Sequence, residues 1–120
     1  MPWILAAWLG RALIAFLFVP AGVLKLTGPR PFLDHMAQHH VPGVLLPAVA
    51  ALEIGAGVLV LVGWQGRWAA LALAAFCLAT AFVFHFDLGD KVERTQFVKD
   101  LAIAGGLFIL AASFARPAVT

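Results

Sequence analysis

Charge is scarce in this chain of 120 residues: 12% are charged, against 63% that are hydrophobic. A soluble domain is about a quarter charged and about half apolar, so the excess apolar residues must face something besides a core of this size. Lipid is the candidate. The net charge of +2 is small and the basic residues are scattered, which excludes a nucleic-acid surface. Cysteine is almost absent. The single one, Cys77, lies in an apolar run; one cysteine forms no internal disulfide and no dithiol, and the bland reading is a small buried hydrophobe. Strand-like alternation is missing, and the apolar runs are too long for barrel strands. No Gly-rich phosphate loop, nucleophile elbow or zinc-protease motif occurs, so no nucleotide is expected.

Long apolar segments are what the chain does have. Crossing a hydrocarbon core takes about 20 apolar residues as a helix, and helices satisfy their own backbone groups in lipid. Four segments qualify: Trp3–Leu26, Val44–Gly63, Arg67–Phe86 and Phe97–Ala115. The expected architecture is an all-α, four-helix transmembrane bundle in one domain over residues 1–120. Gly and Pro punctuate the boundaries, in Thr27-Gly28-Pro29-Arg30-Pro31, Val41-Pro42-Gly43, Gly63-Trp64-Gln65-Gly66 and Leu88-Gly89. Pro20 falls inside the first span and is expected to kink it. The N-terminal segment lacks a basic leader and is longer than a signal-peptide core, so it reads as a retained span. Trp3, Trp8, Trp64 and Trp68 fall near span ends, as interfacial tryptophans do. The small residues Ala51, Gly55, Gly105 and Gly106 suit close helix packing.

An even number of spans places both termini on one side, with Arg67 and Arg116. Lys25, Arg30, Lys91, Arg94 and Lys99 gather on the other. By the excess of Lys and Arg on the cytoplasmic side, the two longer loops face the cytoplasm and the termini face outward.

Two ionisable residues stand out inside apolar runs. Arg11 lies about 12 Å into the first span and Glu53 about 13 Å into the second from the opposite face, at 1.5 Å per residue. Both therefore fall near the midplane, where a lone charge costs at least about 2.5–3.5 kcal/mol. An Arg11–Glu53 pair with bidentate hydrogen bonds would offset much of that; protonation of Glu53 is the other escape. The pair is either a structural lock on helix register or an intramembrane binding or proton-handling site.

A second polar group gathers at the side of the long loops: Lys25, His85, Lys99 and Asp100, with Asp34, His35, His39 and His40 in the first loop. Each has a bland account. Lys25 can snorkel to headgroups, Asp100 suits a helix N-terminus, and Lys99 can anchor at the interface. His35 and His39 would share a face if their segment were helical, but no cysteine lies near them, and no metal site is expected. Haem needs two axial ligands deep in the helices; only His85 comes from a span, so haem is not expected either.

The pattern as a whole resembles the DoxX family of small bacterial four-helix membrane proteins. The resemblance is carried by Arg11 with Phe16-Leu17-Phe18-Val19-Pro20-Ala21-Gly22-Val23-Leu24-Lys25-Leu26, by Glu53 with Gly57, Gly63 and Arg67, and by His85 with Phe97-x-Lys99-Asp100-Leu101 and Gly105-Gly106. It extends from Arg11 to Phe114. It implies a multi-pass protein of the bacterial inner membrane, linked to thiosulfate:quinone oxidoreductase subunits or to complexes handling oxidative or thiol stress. A membrane subunit interacting with quinone or quinol and with a soluble or membrane redox partner is the leading expectation, the electrons coming from that partner. A non-catalytic scaffold recruiting a soluble redox enzyme is the alternative; a carrier of a small lipophile or metabolite comes third. A homo-oligomer is a further arrangement left open.

Overall fold

The computed structural model describes residues 2–115. It is helical throughout, with no strand among the described residues. In chain order the helices are α1 (Pro2–Thr27), α2 (Arg30–Gln38), α3 (Leu46–Val62), α4 (Gly66–Phe84) and α5 (Lys91–Ala115), with a 3₁₀ turn at Gly43–Leu45 leading into α3. Four segments are long and apolar enough to cross a membrane: Pro2–Thr27, Gly43–Val62, Gly66–Phe84 and Lys91–Phe114. The protein is an integral membrane protein, with four such segments among the described residues. Its helices group into two compact units, meeting in sequence between Gly66 and Arg67.

In the first unit α1 packs on α3. Their buried stripes follow the helical period: Ala15, Phe18 and Gly22 on α1; Leu46, Ala50, Glu53, Ala56, Gly57 and Val60 on α3. Two glycines set how close and in what register they meet. A Cβ on Gly22 would lie 2.6 Å from Ile54 Cγ1 and 2.9 Å from the Ala50 carbonyl oxygen, and one on Gly57 would lie 2.9 Å from Val19 Cγ2. These contacts make the helices antiparallel, with Gly22 level with Ala50 and Ile54. Gly55 would meet nothing within 4 Å, so within the first unit the close approach expected there occurs at Gly22 and Gly57 instead; Gly105 and Gly106 on α5 would also meet nothing within 4 Å.

α1 continues as one helix through Pro20. It ends as Gly28 N–H donates to the Leu24 carbonyl at 2.8 Å. The loop expected to follow holds α2, a helix started by Pro29 and Pro31. It stops in a Schellman motif: Val41 N–H donates to Met36 O and His40 N–H to Ala37 O. The left-handed position there is filled by His40, at φ 59°, where glycine is usual. Met36 is buried, and Leu33 lies against Gly43, so α2 folds back toward the start of α3. Gly63, at φ 84°, ends α3.

In the second unit α4 buries Ala69, Ala70, Leu73, Ala74, Cys77 and Ala81, and α5 buries Ala104, Leu107 and Ala111. Sequence placed the end of the third span at Phe86 and the start of the fourth at Phe97. The structure ends α4 at Phe84 and begins α5 at Lys91. The reason is local: Asp90 accepts a hydrogen bond from Glu93 N–H at 3.1 Å. This N-terminal cap makes helix of a polar segment that hydropathy alone reads as loop.

Candidate functional site

Glu53 sits in the middle of α3's buried stripe and is 3% exposed. Its partner is Lys25: Nζ lies 2.7 Å from Oε1. The expected Arg11–Glu53 pair does not form. Arg11 instead donates from Nε to the Val60 carbonyl at 2.9 Å and from Nη2 to the Leu61 carbonyl at 2.8 Å. The register explains this. Val60 lies seven residues beyond Glu53, about 10 Å further along α3, because Gly22 and not a residue nearer Arg11 stands opposite Ala50. Helical side chains also lean toward their own N-terminus. In an antiparallel pair, Lys25 thus leans back toward Gly22 while Glu53 leans toward Ala50, and the two converge.

Arg11 caps the end of α3, where carbonyls lack intrahelical donors. Gly63 leaves room for it, since a Cβ there would lie 2.6 Å from Nη2. Trp8 stacks on the guanidinium, its ring centroid 4.0 Å from Cζ. Arg11 therefore marks the end of α3 and not its middle, and residues 2–10 of α1 run past that end for about 13 Å.

Lys25 does not snorkel outward; its side chain is 15% exposed. The Phe32 ring of α2 lies 4.7 Å from Nζ, which places an aromatic face beside the ion pair. Glu53 Oε1 is fully buried, and the group it faces is the Lys25 ammonium at 2.7 Å. An ammonium carries three donors, and Lys25 makes no other polar contact among the described residues.

The second polar group divides. His85 and Asp100 come together: Nε2 lies 3.9 Å from Asp100 Oδ2. The other ring nitrogen, Nδ1, lies 3.0 Å from Glu93 Oε2. Thr80 on α4 donates its single hydroxyl proton to the Cys77 carbonyl at 3.0 Å and lies beside Asp100. Lys99 is exposed and makes no hydrogen bond or ion pair among the described residues. Lys25 belongs to the first unit, with Glu53. Glu93 was missed in the sequence because it reads as a loop acid. The signal that finds it is Asp90-x-x-Glu93, the spacing of a helix N-terminus. In the first loop, the His35 and His39 rings meet edge-on at 4.7 Å, and a His39–His35 carbonyl contact of 3.0 Å links them. They do share a helical turn, and Asp34 and His40 are exposed beside them.

The DoxX family model matches residues 6–86. The chain is 42% identical over 101 residues to the inner membrane protein YqjF of Escherichia coli strain K12, an alignment covering 84% of this chain and 78% of that protein. It is 29% identical over 110 residues to the inner membrane protein YphA of the same organism, covering 86% of this chain and 79% of that one. No solved structure matches significantly. A family match over more than half the length, Arg11, Lys25, Glu53 and His85 all within it, shows that the chain belongs to the DoxX family.

Proposed function

We propose that this protein is a multi-pass subunit of the bacterial inner membrane that meets quinone or quinol within the bilayer and takes electrons from a redox partner protein, in a thiosulfate:quinone oxidoreductase-like or oxidative-stress complex. The names of the two relatives support the location. One observation carries the chemistry: the Lys25–Glu53 pair, 2.7 Å apart between two mainly apolar helices. An ammonium with donors to spare suits a quinone carbonyl oxygen, the adjacent carboxyl can hold or release a proton, and the Phe32 ring offers a stacking face. With a single cysteine the chain has no dithiol to cycle, so the electrons come from a partner. Both termini would lie on the periplasmic side.

Protein gently solubilised from the membrane should carry quinone detectable by mass spectrometry. Added quinone should raise its melting temperature; a ligand at a hundred times its Kd stabilises by about 2.7 kcal/mol. Lys25→Met should abolish the shift. Folded protein that neither retains quinone nor responds to it contradicts this function.

The extra helical turns at the start of α5 favour a second reading, a scaffold that docks a soluble enzyme. Lys91 and Arg94 are exposed on a helix and not on a loose loop. That reading requires a partner, co-purified in mild detergent, that is lost on altering 35–41 or 87–96 and kept in Glu53→Gln.

A further inference from the structure

We propose that Glu93, His85 and Asp100 form a proton path from the loop end of α4 and α5 into the membrane-spanning part of α5. The path goes beyond the function proposed above: it concerns how protons reach the embedded region whatever accepts them there, and it stands or falls without a quinone.

The geometry points this way because both ring nitrogens of one histidine face carboxylates at different depths. Glu93 is in the first turn of α5, its side chain 29% exposed, with Oε2 3.0 Å from His85 Nδ1. Asp100 lies two turns further along the same face, about 10 Å deeper into the helix, its side chain 20% exposed and Oδ2 3.9 Å from Nε2. A histidine serving only to fix the α4–α5 connection would need one carboxylate. Here the imidazole bridges two, and its two ring nitrogens let it accept a proton on one side and release one from the other. The gap of 3.9 Å at Nε2 is longer than a hydrogen bond and short enough for a small side-chain rotation to close.

The surroundings leave the imidazole as the polar link. Phe97 stands between Glu93 and Asp100 on the same stripe. Its ring packs edge-on against Phe82 at 5.2 Å and tilted against Phe86 at 5.6 Å, so apolar rings occupy the level between the two acids. Asp90 holds Glu93 in place through its main-chain N–H, and the Thr80 hydroxyl flanks Asp100 at the inner end. The other charged groups at this end, Asp87, Asp90, Lys91, Arg94 and Lys99, are exposed, and Arg94 donates to the Leu88 carbonyl at 3.2 Å.

The transfer balances in protons alone. Protonated Glu93 gives its proton to Nδ1 of a neutral ring that carries hydrogen on Nε2. The resulting imidazolium releases the Nε2 proton to the Asp100 carboxylate. One proton enters, one leaves, and no electrons move. The ring is left protonated on Nδ1, and a ring flip or exchange with water restores the first tautomer.

The test is a rapid acid jump on the full-length protein in lipid nanodiscs, with protonation of Asp100 followed by infrared absorption of isotopically labelled aspartate and its band assigned by loss in Asp100→Asn. His85→Gln, which keeps hydrogen-bonding atoms but cannot titrate, should slow protonation of Asp100 by about a hundredfold or more, the lower end of general acid–base effects, with the same final extent when the jump ends well below the carboxylate range. Glu93→Gln should slow it as well. In His85→Ala, imidazole added to the buffer should restore the rate. An unchanged rate in His85→Gln overturns the proposal. So does a change in final extent without a change in rate, which marks a structural hydrogen bond, and so does a slowed His85→Ala that imidazole fails to restore.

Discussion

Arg11 and Glu53 look alike in the sequence, each a lone charge in an apolar run, yet the structure gives them different work. Arg11 uses two nitrogens of its planar guanidinium on two successive carbonyls, Val60 and Leu61. A lysine has the charge but not the fork. Hydrogen bonds to charged groups contribute about 1.5–3 kcal/mol each. Arg11→Lys is therefore expected to weaken the end of α3: amide hydrogen exchange should quicken at Val62 and Gly63, and exchange around Glu53 should stay as it was. Faster exchange centred on Glu53 would show that Arg11 supports the acid after all. Both residues were visible in the sequence as intramembrane charges. Which partner each takes was not, because depth arithmetic measured the two from span ends assumed to be level. α1 has 26 residues and the crossing segment containing α3 has 20, so their ends are not level, and the offset moves Arg11 to the end of α3. Lys25 lies on the same stripe as Arg11, since 14 residues are close to four helical turns, but near a span end it reads as a snorkelling residue.

At the scale of elements, the four long helices were legible because lipid demands length and apolarity, and both are written in composition. α2 and the first turns of α5 were not, since each is polar and its helicity comes from local chemistry: Pro29 and Pro31 in one case, the Asp90 cap in the other. Helix register depends on where the backbones touch. That is set by Gly22 and Gly57, not by Ala51 and Gly55, and glycine spacing alone does not distinguish the pairs. The difference is measurable. Gly22→Ala should destabilise the protein by about 1–3 kcal/mol through overpacking, because one of the atoms in the way is the Ala50 carbonyl oxygen, which cannot rotate aside. Gly55→Ala meets open space and should be neutral or stabilising by up to about 1 kcal/mol from helix propensity. Equal losses at the two positions in a detergent unfolding titration would place the contact elsewhere.

For the whole molecule, the distribution of Lys and Arg carries the topology. Moving Arg11 to the end of α3 adds it to the side of the termini, together with Arg67; Arg116 lies outside the described residues. The loop side still holds Arg30, Lys91, Arg94 and Lys99, so the excess remains there. Alkaline phosphatase fused to the C-terminus should be active and a green fluorescent protein fusion there dark. The reverse pattern would put the termini, with Trp8 and Arg11, in the cytoplasm. It would also place the His85–Glu93 end of the second unit on the periplasmic side, so that any proton entering there would come from outside the cell.

The identity of Glu53's partner is tested most directly by paired double-mutant cycles, with unfolding free energies measured in the same lipid–detergent mixture. Removing one member of a buried ion pair costs about 3–5 kcal/mol. Lys25→Ala and Glu53→Ala should each be destabilising, and together they should lose less than the sum, with a coupling of about 1–3 kcal/mol. Arg11→Ala and Glu53→Ala should add to within about 0.5 kcal/mol. Coupling between Arg11 and Glu53, with strict additivity between Lys25 and Glu53, would contradict the account.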